Sequence, residues 1–129
     1  MNNERRILIV DDKETVCFAI REYFKLYDYE VDCAHNVDDA TRLLNTSRYS
    51  VVIADLDLSG THDLDGFKVT KTVREEFPET RVVILTAYGS AEVESEARRL
   101  GVSAFLHKPK PLSEVARIVF ELTGDKLKG

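Results

Sequence analysis

Three short apolar runs limit what this chain can become: ILIV at residues 7–10, VVIA at 51–54 and VVIL at 82–85. Each is rich in β-branched residues, and none alternates with polar ones. A strand with one wet face alternates. An unbroken run this short needs cover on both faces, as a strand inside a parallel sheet has. Two weaker candidates flank them: EVDCA (30–34), which alternates and suits a sheet edge, and SAFLH (103–107), a second edge candidate.

Helical spacing fills the intervals. Val16, Ala19, Ile20, Tyr23, Phe24 and Tyr27 recur at i, i+3, i+4 and predict a helix over 13–27. Asn36 reads as the cap of a second helix with Val37, Ala40, Leu43 and Leu44 on its apolar face, and Asp39 stands where a capping-box acid would. A third helix, 66–77, stops at Pro78. Ser90 caps a thinly apolar fourth (Val93, Ala97, Leu100) that ends before Gly101, and Pro111 opens a fifth. The order βαβαβαβαβα predicts an α/β fold: a parallel sheet with helices on both faces, joined by right-handed crossovers.

The length of 129 residues suggests one domain over 1–129, with its core at about 5–122 and a polar tail at 123–129. The net charge of −5 argues against direct nucleic-acid binding. No secretory leader precedes the first run, and no stretch approaches the roughly 18–20 apolar residues that span a bilayer. A cytoplasmic location with no membrane contact is therefore expected. Cys17 and Cys33 lack CxxC spacing and read as two buried or half-buried thiols in a reducing compartment, a disulfide being the lesser alternative.

In an open parallel sheet, ligands bind beyond the carboxyl ends of the strands. Asp11 and Asp12 follow the first strand, Asp55 the third, Thr86 the fourth, and Lys108 with Pro109 the fifth. Alone, each is bland. An Asp pair is a common helix cap, a Thr closing a strand says little, and Lys-Pro is frequent. Together they bring three carboxylates, a hydroxyl and an amine to one edge. Clustered carboxylates repel, and a hard divalent cation with oxygen ligands removes that cost; Mg²⁺ suits two or three of them. Mg²⁺ plus Lys108 makes a site for an anion, most plausibly phosphate.

With ILIVDD, VVIADLDL, DGF, VVILTAYGS and GVSAFLHKP in this order, the chain resembles the response-regulator receiver domain of two-component signalling over about residues 5–122. The resemblance implies a flavodoxin-like (βα)5 doubly wound sheet of order 2-1-3-4-5. It implies that Asp55 accepts a phosphoryl group from a histidine kinase or phosphotransfer protein. Asp11, Asp12, Asp55 and the main-chain carbonyl of Asp57 would hold Mg²⁺, with Mn²⁺ as a substitute. Lys108 would pair with a phosphoryl oxygen, its bond to Pro109 being cis. Thr86 and Phe105 would form a switch pair driving a surface of the fourth helix, fifth strand and fifth helix toward an effector or output domain. A phosphorylation-linked homodimer belongs to the same expectation. Such a module is a signalling protein whose only chemistry is self-catalysed phosphoryl uptake and slow loss.

Three features depart from the family pattern. No Met-Pro pair follows Asp55, and Gly66 lies eleven positions beyond it rather than eight, so the loop is about three residues longer. Asp57 adds a carboxylate expected to alter metal affinity or phosphoryl lifetime. Lys110 replaces the usual aromatic after Pro109. In the loop, His62 reads as a solvated side chain rather than a metal ligand, Asp63 as loop charge and Asp65 as a helix cap, while His35 and His107 carry no functional reading. Two other readings compete. VVIADLDLS also resembles the D-x-D strand of haloacid-dehalogenase-like phosphatases, with Asp55 as nucleophile and Asp57 as general acid. The acidic pair coming first and the short chain argue against that. A phosphorylation-independent pseudo-receiver draws support from the altered loop but not from the complete acid set.

Overall fold

In the computed structural model, which describes residues 5–60 and 64–124, strands and helices alternate as β1 (Arg6–Val10), α1 (Glu14–Lys25), β2 (Glu30–Ala34), α2 (Val37–Thr46), β3 (Val51–Ala54), α3 (Gly66–Glu76), β4 (Arg81–Thr86), α4 (Ala91–Arg99), β5 (Ala104–His107) and α5 (Leu112–Thr123). The strands are parallel in the order 2-1-3-4-5. This is the doubly wound arrangement that the alternation and the resemblance imply.

The missing alternation in the apolar runs has a direct cause. Leu8, Val10, Val52, Ala54, Val82 and Ile84 pack into one cluster with residues of α2, α3 and α4. Their neighbours Ile7, Ile9, Val51, Ile53, Val83 and Leu85 pack on the other face with α1 and α5. Successive side chains point to opposite faces, so covering both makes every position apolar. Each such Val, Leu or Ile contributes roughly 1.5–3 kcal/mol by leaving water. β2, at the edge, is only partly buried.

The helix ends refine the sequence reading. The α1 core stripe is Cys17, Ile20 and Phe24, with Val16 and Tyr23 beside it, while Ala19 and Tyr27 are exposed. The helix ends at Lys25, before Asp28 turns the chain at φ 65°. Asn36 caps α2 by accepting from the Asp39 amide (2.8 Å), but the Asp39 carboxylate pairs with Arg42 at 3.0 Å. Ser90 caps α4 through the Val93 amide, and Gly101 follows the helix at φ 91°. Asp65 stands at the cap position of α3, yet its backbone is already helical and its side chain makes no cap bond. It pairs instead with Lys68 at 3.3 Å, which corrects the capping assignment. Pro111 occupies the residue before α5 rather than its first turn. Only Ala97 of α4 is buried, as its thin apolar stripe suggests.

Among the described residues, no helix is long and apolar enough to cross a membrane. The readings for His62 and Asp63 lie outside the described residues.

Candidate phosphoryl-transfer site

The sheet ladder runs one residue past the strands and so fixes the site residues. The Asp11 amide donates to the Ala34 carbonyl (3.0 Å), the Asp55 amide to Val10 (2.9 Å) and the Lys108 amide to Thr86 (2.9 Å). Three elements thereby deliver their side chains to one edge. The Lys108 ammonium donates to Asp11 Oδ2 at 2.7 Å and to Asp55 Oδ2 at 2.9 Å. The Thr86 hydroxyl donates to Asp55 Oδ1 at 2.7 Å and accepts from the Tyr88 amide at 3.0 Å. The Asp57 amide donates to Asp55 Oδ1 at 3.1 Å. Both Asp55 oxygens are therefore engaged, in a residue only 7% exposed. The Lys108–Pro109 bond is cis.

Burial acts to lower the Lys108 pKa. Hydrogen bonds and attraction from Asp11 and Asp55 outweigh it, and the ammonium titrates above the ordinary lysine value. The charge is thus held at neutral pH by the two carboxylates it bridges.

Asp11 is clamped from several sides. Its Oδ1 accepts from the Lys13 amide at 2.9 Å. Its carbonyl faces His35 Nδ1 at 3.0 Å and receives the Cys17 thiol at 3.8 Å. Asp12 differs: its buried Oδ1 has no hydrogen-bond partner, and the Lys13 ammonium at 3.7 Å is too far to donate. A buried carboxylate oxygen in that state is costly.

Among the described residues, no three His, Cys, Asp or Glu side chains stand grouped to hold a metal ion. The Lys108 ammonium bridges Asp11 and Asp55 at this edge. The oxygen set nevertheless fits Mg²⁺: hard donors, few carboxylates, and one Asp12 oxygen with an open lone pair.

The lengthened loop returns to the same place. Gly66 opens α3 with its amide on the Leu56 carbonyl at 3.0 Å. A Cβ there would lie 2.3 Å from the Asp55 carbonyl oxygen and 2.7 Å from Leu56 Cα. Only glycine allows α3 to start against the backbone of Asp55. The Asp57 carboxylate accepts from the Gly60 amide at 3.0 Å, tying the loop's first turn. Phe105 is buried in the cluster under α4, its ring 5.2 Å from that of His107.

The sequence reading brought together Asp11, Asp12, Asp55, Thr86 and Lys108 and missed the support beneath them. His35 and Cys17 reach the Asp11 carbonyl from elements with no motif of their own. The Asp57–Gly60 turn was signalled by an Asp three residues before a Gly.

Comparison with known proteins agrees with this architecture. Residues 7–120 match the family model described as the response regulator receiver domain. The chain is 35% identical over 114 residues to the regulatory protein AtoC of Escherichia coli, covering 88% of this chain and 24% of that protein. It is 30% identical over 115 residues to sporulation initiation phosphotransferase F of Bacillus subtilis, covering 89% of this chain and 90% of that protein. A CheY-like response regulator receiver domain from Methanospirillum hungatei superposes with a TM-score of 0.87 at 21% identity, over 93% of this chain and 94% of that one. The chain thus spans about a quarter of AtoC but nearly the whole of phosphotransferase F. With the family model matching 114 residues in one run and the fold shared at a TM-score of 0.87, this chain belongs to the response regulator receiver domain family of two-component systems.

Proposed function

We propose that this receiver domain is a phosphorylation-activated switch in which Asp55 accepts a phosphoryl group from the phosphohistidine of a sensor kinase or phosphotransfer protein. One observation carries the reading most: a buried carboxylate at the sheet edge has a lysine on one oxygen, a threonine on the other, and an acidic pair beside it.

In the proposed step, an Asp55 oxygen attacks phosphorus in line with the leaving imidazole nitrogen. The O–P bond forms as the N–P bond breaks, giving an aspartyl phosphate. Lys108 then pairs with a phosphoryl oxygen in place of Asp55 Oδ2, and Thr86 donates to another. Asp11, Asp12, Asp55 and the Asp57 main-chain carbonyl would hold Mg²⁺, with Mn²⁺ as a substitute, and the bound cation would supply charge neutralisation on the transferred group. Burial at the sheet edge excludes most water and slows hydrolysis. The Asp57 charge, fixed in the loop turn, alters metal affinity or that hydrolysis rate.

The state of Thr86 and Phe105 is the proposed relay to the face formed by α4, β5 and α5. The weak burial of α4 suits an element that shifts readily. That face meets an effector, an output domain or a second copy of the chain, in the cytoplasm. The domain performs one transfer per cycle and is not a turnover enzyme.

The test is incubation with Mg²⁺ and acetyl phosphate, followed by intact mass. Wild type gains one phosphoryl group and Asp55→Asn gains none. Repeated hydrolysis of varied phosphate esters would favour a phosphatase, and no labelling a binding-only module.

A further inference from the structure

The Asp11 main chain is gripped at both of its polar groups by two consecutive residues. Its amide donates to the Ala34 carbonyl at 3.0 Å. Its carbonyl lies 3.0 Å from His35 Nδ1. A carbonyl oxygen only accepts, so Nδ1 carries the hydrogen and donates it. In a continuing parallel ladder, a main-chain amide of the neighbouring strand would reach this carbonyl. Here β2 ends at Ala34 and α2 begins at Val37, and between them the His35 ring brings a donor to the same oxygen. The free Cys17 thiol adds only a weaker contact, at 3.8 Å.

We infer that His35 is a positioning residue for the proposed phosphoryl-transfer site: its Nδ1–H holds the Asp11 carbonyl and so sets the peptide plane from which the Asp12 carboxylate enters that site.

The peptide bond carries the effect. The Asp11 carbonyl and the Asp12 amide lie in one rigid plane, so holding the oxygen restricts the angle at which the chain enters Asp12. The Asp11 side chain has its own supports, the Lys13 amide at 2.9 Å and the Lys108 ammonium at 2.7 Å. Asp12 has less: its buried Oδ1 has no hydrogen-bond partner. The direction of that carboxylate therefore depends on the backbone it leaves from. The inference rests on the reading of Asp11 and Asp12 as cation ligands, and His35 acts on them through the Asp11 backbone.

The ring is oriented for this role. Its Nε2 faces Glu14 Oε1 at 3.6 Å, beyond hydrogen-bond length, and the Glu14 side chain is 86% exposed. The 3.0 Å bond to Asp11 is thus the contact that fixes the ring. The His35 side chain is itself 38% exposed and lines the open cavity between α1 and β2, so replacing it empties no closed core.

The experiment compares wild type, His35→Leu and His35→Asn. Asn offers an amide N–H close to where Nδ1 stands, and Leu fills similar space with no donor. Calorimetric titration with Mg²⁺ reads the acidic pair without any phosphoryl transfer. His35→Leu binds Mg²⁺ about 2- to 10-fold more weakly, the equivalent of one lost hydrogen bond, and His35→Asn recovers most of that loss. In acetyl phosphate labelling, the Mg²⁺ concentration giving half the maximal rate rises in His35→Leu, while the rate at saturating Mg²⁺ is kept. Equal affinities in wild type and His35→Leu, or equal losses in both variants, would overturn the inference, as would a fall confined to the saturated rate. NMR of the imidazole nitrogens gives a check without metal, and a His35 Nδ1 bearing no hydrogen would also overturn it. If wild type itself binds no Mg²⁺, the cation-site reading fails and the positioning role with it. Variants that do not separate while wild type binds Mg²⁺ strike this inference alone.

Discussion

Replacing Lys108 with Met keeps the unbranched side chain, one atom shorter, and removes the charge that bridges Asp11 and Asp55. In the wild type, that ammonium lies 2.7 Å and 2.9 Å from two carboxylates whose side chains are 4% and 8% exposed. Breaking a buried pair by deleting one partner costs about 3–5 kcal/mol, because the remaining charges are left uncompensated. Lys108 itself is 20% exposed, so water recovers part of the loss. About 2–4 kcal/mol remains, or a fall in Tm of roughly 10 °C for a domain of this size. Thermal unfolding of wild type, Lys108→Met, Asp55→Asn and the double variant measures it. The double variant recovers much of the loss, because one of the two stranded carboxylates is gone. Millimolar Mg²⁺ raises the Tm of Lys108→Met more than that of wild type, since a second cation takes over the compensation. An unchanged Tm in Lys108→Met, or additive effects in the double variant, would refute the reasoning.

Other expectations follow from the same geometry. Lys108 has a folded pKa above the ordinary lysine value of 10.5, so its pairing stabilises the protein fully below that pH and is lost as pH rises through the folded pKa; the stability gap between wild type and Lys108→Met stays constant from neutral pH to about 10 and narrows above it in urea titrations. Gly66→Ala should stabilise an ordinary helix by up to about 1 kcal/mol, but here the new Cβ would sit 2.3 Å from the Asp55 carbonyl oxygen, where ordinary contact begins at 3.4 Å. Urea unfolding therefore shows a loss of about 1–3 kcal/mol or more, with slower acetyl phosphate labelling. Thr86→Val keeps the shape, removes a 2.7 Å donor to Asp55 and orphans the Tyr88 amide; it costs about 1–3 kcal/mol in urea unfolding and slows labelling.

What was legible in the sequence was whatever a periodic or positional rule writes into neighbouring residues. The central strands could be read because two-sided burial demands unbroken β-branched runs, and Asp11, Asp55, Thr86 and Lys108 because each directly follows or closes such a run. The α1 stripe was read with Ala19 and Tyr27 in it because Cys17 does not announce itself as core. It is packing into the cluster formed with the central strands and α5 that selects Cys17, Ile20 and Phe24. Asp65 has the right residue type and position for a cap, but the close start of α3 against Asp55 sets its backbone to helical before the cap forms. The contacts of His35 and Cys17 with the Asp11 carbonyl depend on tertiary placement of β2 and α1, so no local spacing encodes them. The bridge of Lys108 to both acids spans 97 and 53 residues and emerges only from the strand order.

The central claim is that Asp55 is the residue that takes the phosphoryl group. Borohydride reduces an aspartyl phosphate to homoserine, so reduction of the Mg²⁺- and acetyl phosphate-treated protein, followed by peptide mass mapping, marks the acceptor directly. The account predicts homoserine at Asp55 alone, with none when Mg²⁺ is omitted. A mark at Asp11, Asp12 or Asp57, or a phosphoryl group on any other side chain with Asp55 unmodified, would contradict it.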